Sequence, residues 1–360
     1  MGLKRWILII GIAFTTLQTF AQVGSEWINF NQFYYKIPVA KDGIYRLTYS
    51  NLQNAGFPVD IVDPRRLQLY HRGVEQAIYV DGESDAKFDA ADFIEFYGKR
   101  NDGTMDAELY KPSTLQPHPY LNLFSDTTSY FLTFNPLPVL GSRMYYSTEI
   151  NVGNIAKENY HTEQLLTVLS DGGYWTGAAY GDYIHNSFFD ETEGWSGLEI
   201  RQGSFLDYTI SNIIHGDATN GKPQLELLII GRNLESHETV ISVGADAASL
   251  RTLTTVDFFG FTTSKVSIPL EWTDVSSSGK TTVRVTSSGV GGQPDRISIS
   301  YFKLNFPQSF SSDGLNEKLY TLAVNSSDKS YIEIQNPASN LRLFDVTDPS
   351  NVVRIRVTST

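Results

Sequence analysis

The chain has 360 residues, 28 Lys and Arg against 40 Asp and Glu, and no cysteine. The missing thiols exclude disulfides, thiolate metal sites and a cysteine nucleophile within these residues. A net charge of -12 argues against nucleic-acid binding, which rests on neutralising phosphates. With 41% hydrophobic and 13% aromatic residues, the chain can bury two or more cores by apolar packing alone.

In chain order, Lys4 and Arg5 precede an apolar run over 6–17, and Ala21 supplies a small residue before Gln22. This pattern predicts a cleavable signal peptide over 1–21 and an exported chain, secreted or at the cell surface, beginning near Gln22. The run is shorter than the roughly 20 apolar residues a spanning helix needs.

An N-terminal β-rich hairpin domain is predicted over 22–140. Alternating strands over 34–39 and 44–49 flank an Asp42-Gly43 turn and read as a hairpin. Ser50 and Gln53 suit a capping box for one short helix, which Gly56 and Pro58 stop. A second hairpin is expected over 66–80 about Arg72-Gly73, with Leu67, Leu69 and His71 on one face, and further strands over 92–97 and 130–134.

Periodicity fades over 136–151, where Pro136, Pro138 and Gly141 fall, so a second domain is placed at 141–310. Its strand-like segments at 204–214, 224–230, 239–243, 265–272, 281–286 and 296–306 are separated by Gly-, Ser- and Thr-rich loops. They predict an antiparallel, jelly-roll-like β-sandwich. A short β-rich piece over 311–360 has strand candidates at 319–324, 331–335, 341–346 and 352–357. It either completes the sandwich or leads into further chain. The fold class is therefore all-β.

The sharpest chemical signal is Asp81, Glu83, Asp85, Lys87, Asp89 and Asp92, at positions 1, 3, 5, 7, 9 and 12 of a loop. That is the spacing of a calcium loop, in which position seven contributes its carbonyl, so a structural Ca2+ is expected there, with Phe88 anchoring the loop. Two departures stand against it: Ala86 replaces the usual turn glycine, and Asp92 is shorter than a bidentate glutamate. The other reading is a solvated acidic hairpin loop. The six histidines are scattered and show no zinc spacing, and no Gly-x-Ser-x-Gly elbow or phosphate-binding glycine loop occurs. Tyr174, Trp175, Tyr180, Tyr183, Phe188, Phe189 and Trp195 crowd one segment. Exposed, they suit sugar stacking or a protein partner; buried, they join structural layers.

The motifs YYKIPV at 34–39, GIYRL at 43–47, LYHRGVEQAI at 69–78, FDAADFIEFYGKRNDG at 88–103, DTTSYFLT at 126–133 and FDVTDP at 344–349 carry a family resemblance. The chain resembles the N-terminal region of the PorU-like type IX secretion sortases, which belong to the gingipain-type cysteine peptidases. The resemblance implies a complete protein that cleaves C-terminal sorting signals from exported cargo, with a histidine and a cysteine as catalytic pair. Neither carries over, because there is no cysteine and no histidine follows His237. What it implies for these residues is a non-catalytic head that positions the peptidase domain, shields its cleft or contacts an outer-membrane β-barrel partner. The rival expectation is a stand-alone carbohydrate-binding or adhesin-like module.

Overall fold

A computed structural model describes residues 24–181, 184–289, 294–324 and 329–358. The signal-peptide residues 1–21 and Tyr183 lie outside them. The described chain is nearly all β, with antiparallel sheets and a β-sandwich, in keeping with the all-β expectation.

Two compact units divide it, and their segments interleave. One takes in residues through Lys99, Thr128–Ser147 and Phe344–Ile355. The other takes in Arg100–Thr127, Thr148–Leu343 and the residues from Arg356 onward. Sequence alone suggested contiguous domains. The difference has a local cause: Asn101 donates its backbone N–H to the Asp126 carbonyl, so the chain leaves the first unit at Lys99 and returns to it at Thr128 as one closed excursion.

The first unit holds a four-stranded sheet in the order Tyr35–Val39, Thr128–Phe134, Leu67–His71, Val74–Gln76. It also holds a three-stranded sheet in the order Gly43–Thr48, Phe93–Gly98, Tyr79–Val80. The predicted hairpin at Asp42-Gly43 is corrected here. Tyr35 pairs with Leu132 while Ile44 pairs with Tyr97, so the two strands enter different sheets. The turn is a corner between sheets. The hairpin at Arg72-Gly73 does form, with Tyr70 opposite Glu75. Both turn residues have positive φ (49° and 82°), which matches the right-handed twist of the flanking strands. Helix Tyr49–Asn54 is capped by Thr48 with Asn51 in a reciprocal box, two residues earlier than the sequence suggests, because the strand before it ends at Thr48.

Val39, Leu67, Leu69, Ile94, Phe96 and Leu132 build this unit's core. Residues 344–355 help build a second, smaller cluster of the same unit. Val352 is fully buried beside Ala77 and Met144, Ala77 donates to the Ser350 carbonyl, and Val353–Ile355 pairs in parallel with Tyr145–Ser147. Arg354 lies over the ring of Tyr79 at 3.7 Å. Residues 344–355 thus pack against residues of the first 150 positions within this unit. Of the other late strand candidates, 319–324 and 331–335 make only single bridges, such as Thr162 with Thr321.

The second unit is the sandwich. One sheet runs Ile200–Arg201, Arg296–Gln308, Gln224–Gly231, Thr263–Pro269, with His161–Val168 also paired to Arg296–Gln308. The other runs Phe205–Ile210, Thr281–Ser287, Ser236–Gly244, Arg251–Phe259. Alternate residues meet in one core: Leu225, Leu227 and Ile229 from the first sheet, Ile241, Val243, Val283 and Val285 from the second. Strict alternation along Thr281–Ser287 and Ser236–Gly244 is what a half-buried sheet requires.

Candidate functional site

The predicted cation loop lies in the first unit, and four of its five carboxylates are engaged by the chain itself. Asp81 accepts from the Tyr79 hydroxyl, and Glu83 pairs with Arg143 at 2.8 Å. Asp85 accepts from the Lys87 N–H at 2.9 Å, and Asp92 from the Asp89 N–H at 2.6 Å. Ala86 makes the turn in the left-handed region (φ 66°), and Phe88 is buried and stacked on Tyr49. Among the described residues, no three His, Asp or Glu side chains gather as a metal-binding group. Lys87 and Asp89 enter this loop through backbone N–H groups.

The three residue types of a hydrolytic triad do meet in the sandwich unit, in an order that cannot run that chemistry. Ser287 Oγ donates to Asp295 Oδ2 at 2.6 Å, and His237 Nδ1 contacts Asp295 Oδ1. His237 Nε2 faces the Gly260 carbonyl at 3.0 Å. A carbonyl only accepts, so Nε2 carries a proton and is directed at backbone, away from the serine. All three side chains are fully buried. The arrangement fixes the sandwich interior; a nucleophile would need serine against histidine at an open surface.

The richest surface chemistry is built by two segments outside the sandwich sheets, 100–127 and 172–198, both in the second unit. Two buried carboxylates organise them. Asp106 accepts from Asn122 Nδ2 at 2.6 Å and the Leu123 N–H at 2.8 Å. Asp190 accepts from the N–H groups of Ala178 and Thr192 and from Thr192 Oγ1, at 2.7–2.9 Å. Gly177 approaches Asp190 so closely, at φ 81°, that a Cβ there would stand 2.5 Å from its Oδ2. Gly173–Trp175 and Gly194–Ser196 form a two-stranded ribbon.

Three pins tie these segments together. Trp195 Nε1 donates to the Leu123 carbonyl at 3.0 Å, the Tyr110 hydroxyl donates to the Glu193 carbonyl at 3.1 Å, and Tyr110 meets Phe189 edge to face. Arg232 is the fourth anchor. Its guanidinium is buried, donates to Ser298 Oγ, the Thr192 carbonyl and Ser196 Oγ, and lies 4.7 Å from the Trp175 ring. Burial brings its pKa down to about 9. A carboxylate in direct contact is replaced by neutral acceptors and a ring face.

The aromatic cluster of the sequence therefore splits. Trp175, Phe189 and Trp195 are half-buried and structural, while Tyr174, Tyr180 and Phe188 are exposed. Where the two segments meet, a cavity of about 20 Å³ is lined among others by Asp106, Gln116, His118, Glu193 and Trp195. That volume suits one water molecule. Burial raises the pKa of both Asp106 and Glu193, and lowers that of His118 to about 4. His118 Nδ1 accepts from the Tyr120 N–H at 3.1 Å, and Nε2 contacts Ser300 Oγ at 2.9 Å, so both ring nitrogens are occupied. These contacts fix His118 in place beside the cavity.

The contribution of 100–127 to this surface escaped the sequence reading, which placed that segment in the N-terminal domain. Nothing in the local spacing around Asp106 points to partners at 122–123, nor around Tyr110 to one at 193.

No protein-family model matches the chain, and no curated protein matches it by sequence. Among solved structures, dimeric latent PorU from Porphyromonas gingivalis is similar over 91% of this chain, with a TM-score of 0.59 at 14% identity. The chain spans 29% of that protein's length. The K1 cleaved adhesin domain of Lys-gingipain from Porphyromonas gingivalis W83 aligns with 42% of this chain and 92% of its own, at TM-score 0.21 and 8% identity. A CBM36 domain of a xylanase from the hindgut metagenome of Trinervitermes trinervoides aligns with 39% of this chain and 96% of its own, at TM-score 0.25 and 17% identity. At these identities the likeness is one of fold. No helix among the described residues is long and apolar enough to cross a membrane.

Proposed function

We propose that this chain is the non-catalytic head of an exported gingipain-type peptidase resembling the type IX secretion sortases, and that it works by docking protein partners. The observation that carries this reading is the likeness in fold to PorU along 91% of the chain, both units included. It agrees with the motif resemblance at 34–47, 69–103, 126–133 and 344–349. The partners that follow are the protein's own peptidase domain and an outer-membrane β-barrel of the secretion system. Hydrolysis is assigned to the complete protein, because this chain has no cysteine and, among the described residues, the buried Ser287, His237 and Asp295 are in the wrong order for a nucleophile.

A second reading, carbohydrate binding by the sandwich unit, rests on the exposed rings of Tyr174, Tyr180 and Phe188. The encoding gene separates the two. An open frame past codon 360 that encodes a histidine and a cysteine supports the head. A stop at that point, with saturable oligosaccharide binding lost in Tyr174→Ala and Phe188→Ala, supports the module.

A further inference from the structure

The sandwich unit carries an apolar face outside its two sheets. Met105, Leu109 and Phe124 come from the segment 100–127 and stand 62, 37 and 75% exposed; Tyr174 and Phe188 come from 172–198 and stand 38 and 43% exposed. The two segments are joined where Tyr110 bridges Phe189 and where Trp195 donates to Leu123; Leu109, Phe124 and Phe188 each adjoin one of these pinned residues, Tyr174 lies on the ribbon, and Met105 adjoins the buried Asp106. Buried polar groups brace the two segments, Asp106 within 100–127 and Arg232 against Thr192 and Ser196. A surface patch so braced, with its large apolar side chains turned to solvent, marks an interaction site.

Its chemistry selects the class of partner. Four of the five side chains, Met105, Leu109, Phe124 and Phe188, offer no hydrogen bond to sugar hydroxyls, and the Tyr174 hydroxyl already donates to Glu193 at 2.7 Å. Methionine and aromatic rings beside leucine are the composition of a protein interface core. Charge then narrows the partner. The two segments hold eight acids, of which Asp106 and Asp190 are buried, against two bases, Arg100 and Lys111, and no Lys or Arg occurs anywhere over 158–200. Glu108 and Asp126 are exposed beside Leu109 and Phe124.

We infer that this face docks a protein segment whose apolar side chains are flanked by lysine or arginine. The inference deepens the proposed function and rests on it for the role of docking, while the acidic rim alone sets the sign of the partner's charge.

The test is selection of random twelve-residue peptides displayed on phage against the purified chain, followed by titration of the enriched peptides. Enriched sequences are expected to combine aromatic or aliphatic residues with Lys or Arg. Their affinity should fall at least tenfold between 50 and 500 mM NaCl, because exposed charge pairs are screened. It should also fall at least tenfold in Phe124→Ser with Phe188→Ser, and stay unchanged in Phe33→Ser, which alters an exposed ring of the first unit. Should the double serine variant melt early, Glu108→Lys with Asp126→Lys reverses the rim without touching the rings, and the same loss is expected. No enrichment, enrichment of acidic peptides, or equal binding to the variants overturns the inference. So does oligosaccharide binding that the same variants abolish. None of these results bears on whether the reading frame continues past codon 360, so the face can fail while the head reading stands.

Discussion

Acid should loosen the sandwich unit through histidines that it buries in neutral form, and His118 gives the cleanest case. Its Nδ1 accepts the Tyr120 N–H, so a second ring proton has no acceptor and must break that bond. Burial holds its pKa near 4 against an ordinary 6.5. Because the folded value is the lower one, the unfolded chain binds more protons between these limits. The stabilisation is complete above pH 6.5 and disappears as pH falls toward 4. A shift of this size corresponds to at most about 3 kcal/mol, and to about 2 kcal/mol between pH 8 and pH 5. That is a sizeable share of a typical 5–15 kcal/mol domain stability, roughly a thirtyfold change in the folding equilibrium. His161, buried against Phe310 and Tyr320, is lowered to about 4 by the same cause and acts in the same direction.

The assay is urea denaturation at pH 8, 6.5 and 5. It can be followed by tryptophan emission, since Trp175, Trp195 and Trp272 all belong to the sandwich unit. His118→Gln keeps a donor for Ser300 and cannot titrate. The variant should lose about 2 kcal/mol less than the parent between pH 8 and pH 5. Equal losses in parent and variant would refute the reasoning.

Arg232→Met removes the hydrogen bonds to Thr192 and Ser196, with a third to Ser298, and should raise amide exchange over 192–196 at least tenfold, or about 1.4 kcal/mol of local protection; unchanged exchange contradicts its role as an anchor. Val352→Asp places a carboxylate at a fully buried position of the first unit and should cost about 3 kcal/mol or more. An unaltered denaturation profile for that unit would show that residues 344–355 are dispensable to it. Millimolar calcium should leave the melting temperature unchanged, since Asp81, Glu83, Asp85 and Asp92 already accept from the chain. A calcium-dependent rise that Asp85→Ala with Asp89→Ala abolishes would restore the cation loop read from spacing.

The all-β class and most sandwich strands are legible because alternation has a period of two wherever a sheet covers one core. Arg251–Phe259 was missed. Its threonines sit on both faces of an exposed edge strand, which blurs the contrast that alternation needs. The Asp42-Gly43 hairpin failed for a different reason: a tight turn between two alternating runs fits a corner between sheets as well as a hairpin, and only the partners Leu132 and Tyr97 distinguish them. Pairings across long separations are invisible to local patterns. Nothing near Val352 announces that it completes a core beside Ala77, and nothing near Asp106 announces Leu123. The aromatic segment was legible as a cluster, while its division into structural and exposed rings depends on Arg232 and Asp190, one distant and one local. The acidic loop shows the converse. Its spacing is that of a calcium site, yet carboxylates so spaced also serve a chain that turns on its own N–H groups.

The central claim, that these residues are the docking head of a longer peptidase-type protein, is tested most directly by an immunoblot of the producing cells with antibody raised against the sandwich unit. The account predicts a polypeptide far larger than 360 residues, consistent with the 29% of its length that this chain occupies in the PorU fold. A single species of about the size of this chain, with no larger precursor, would contradict it.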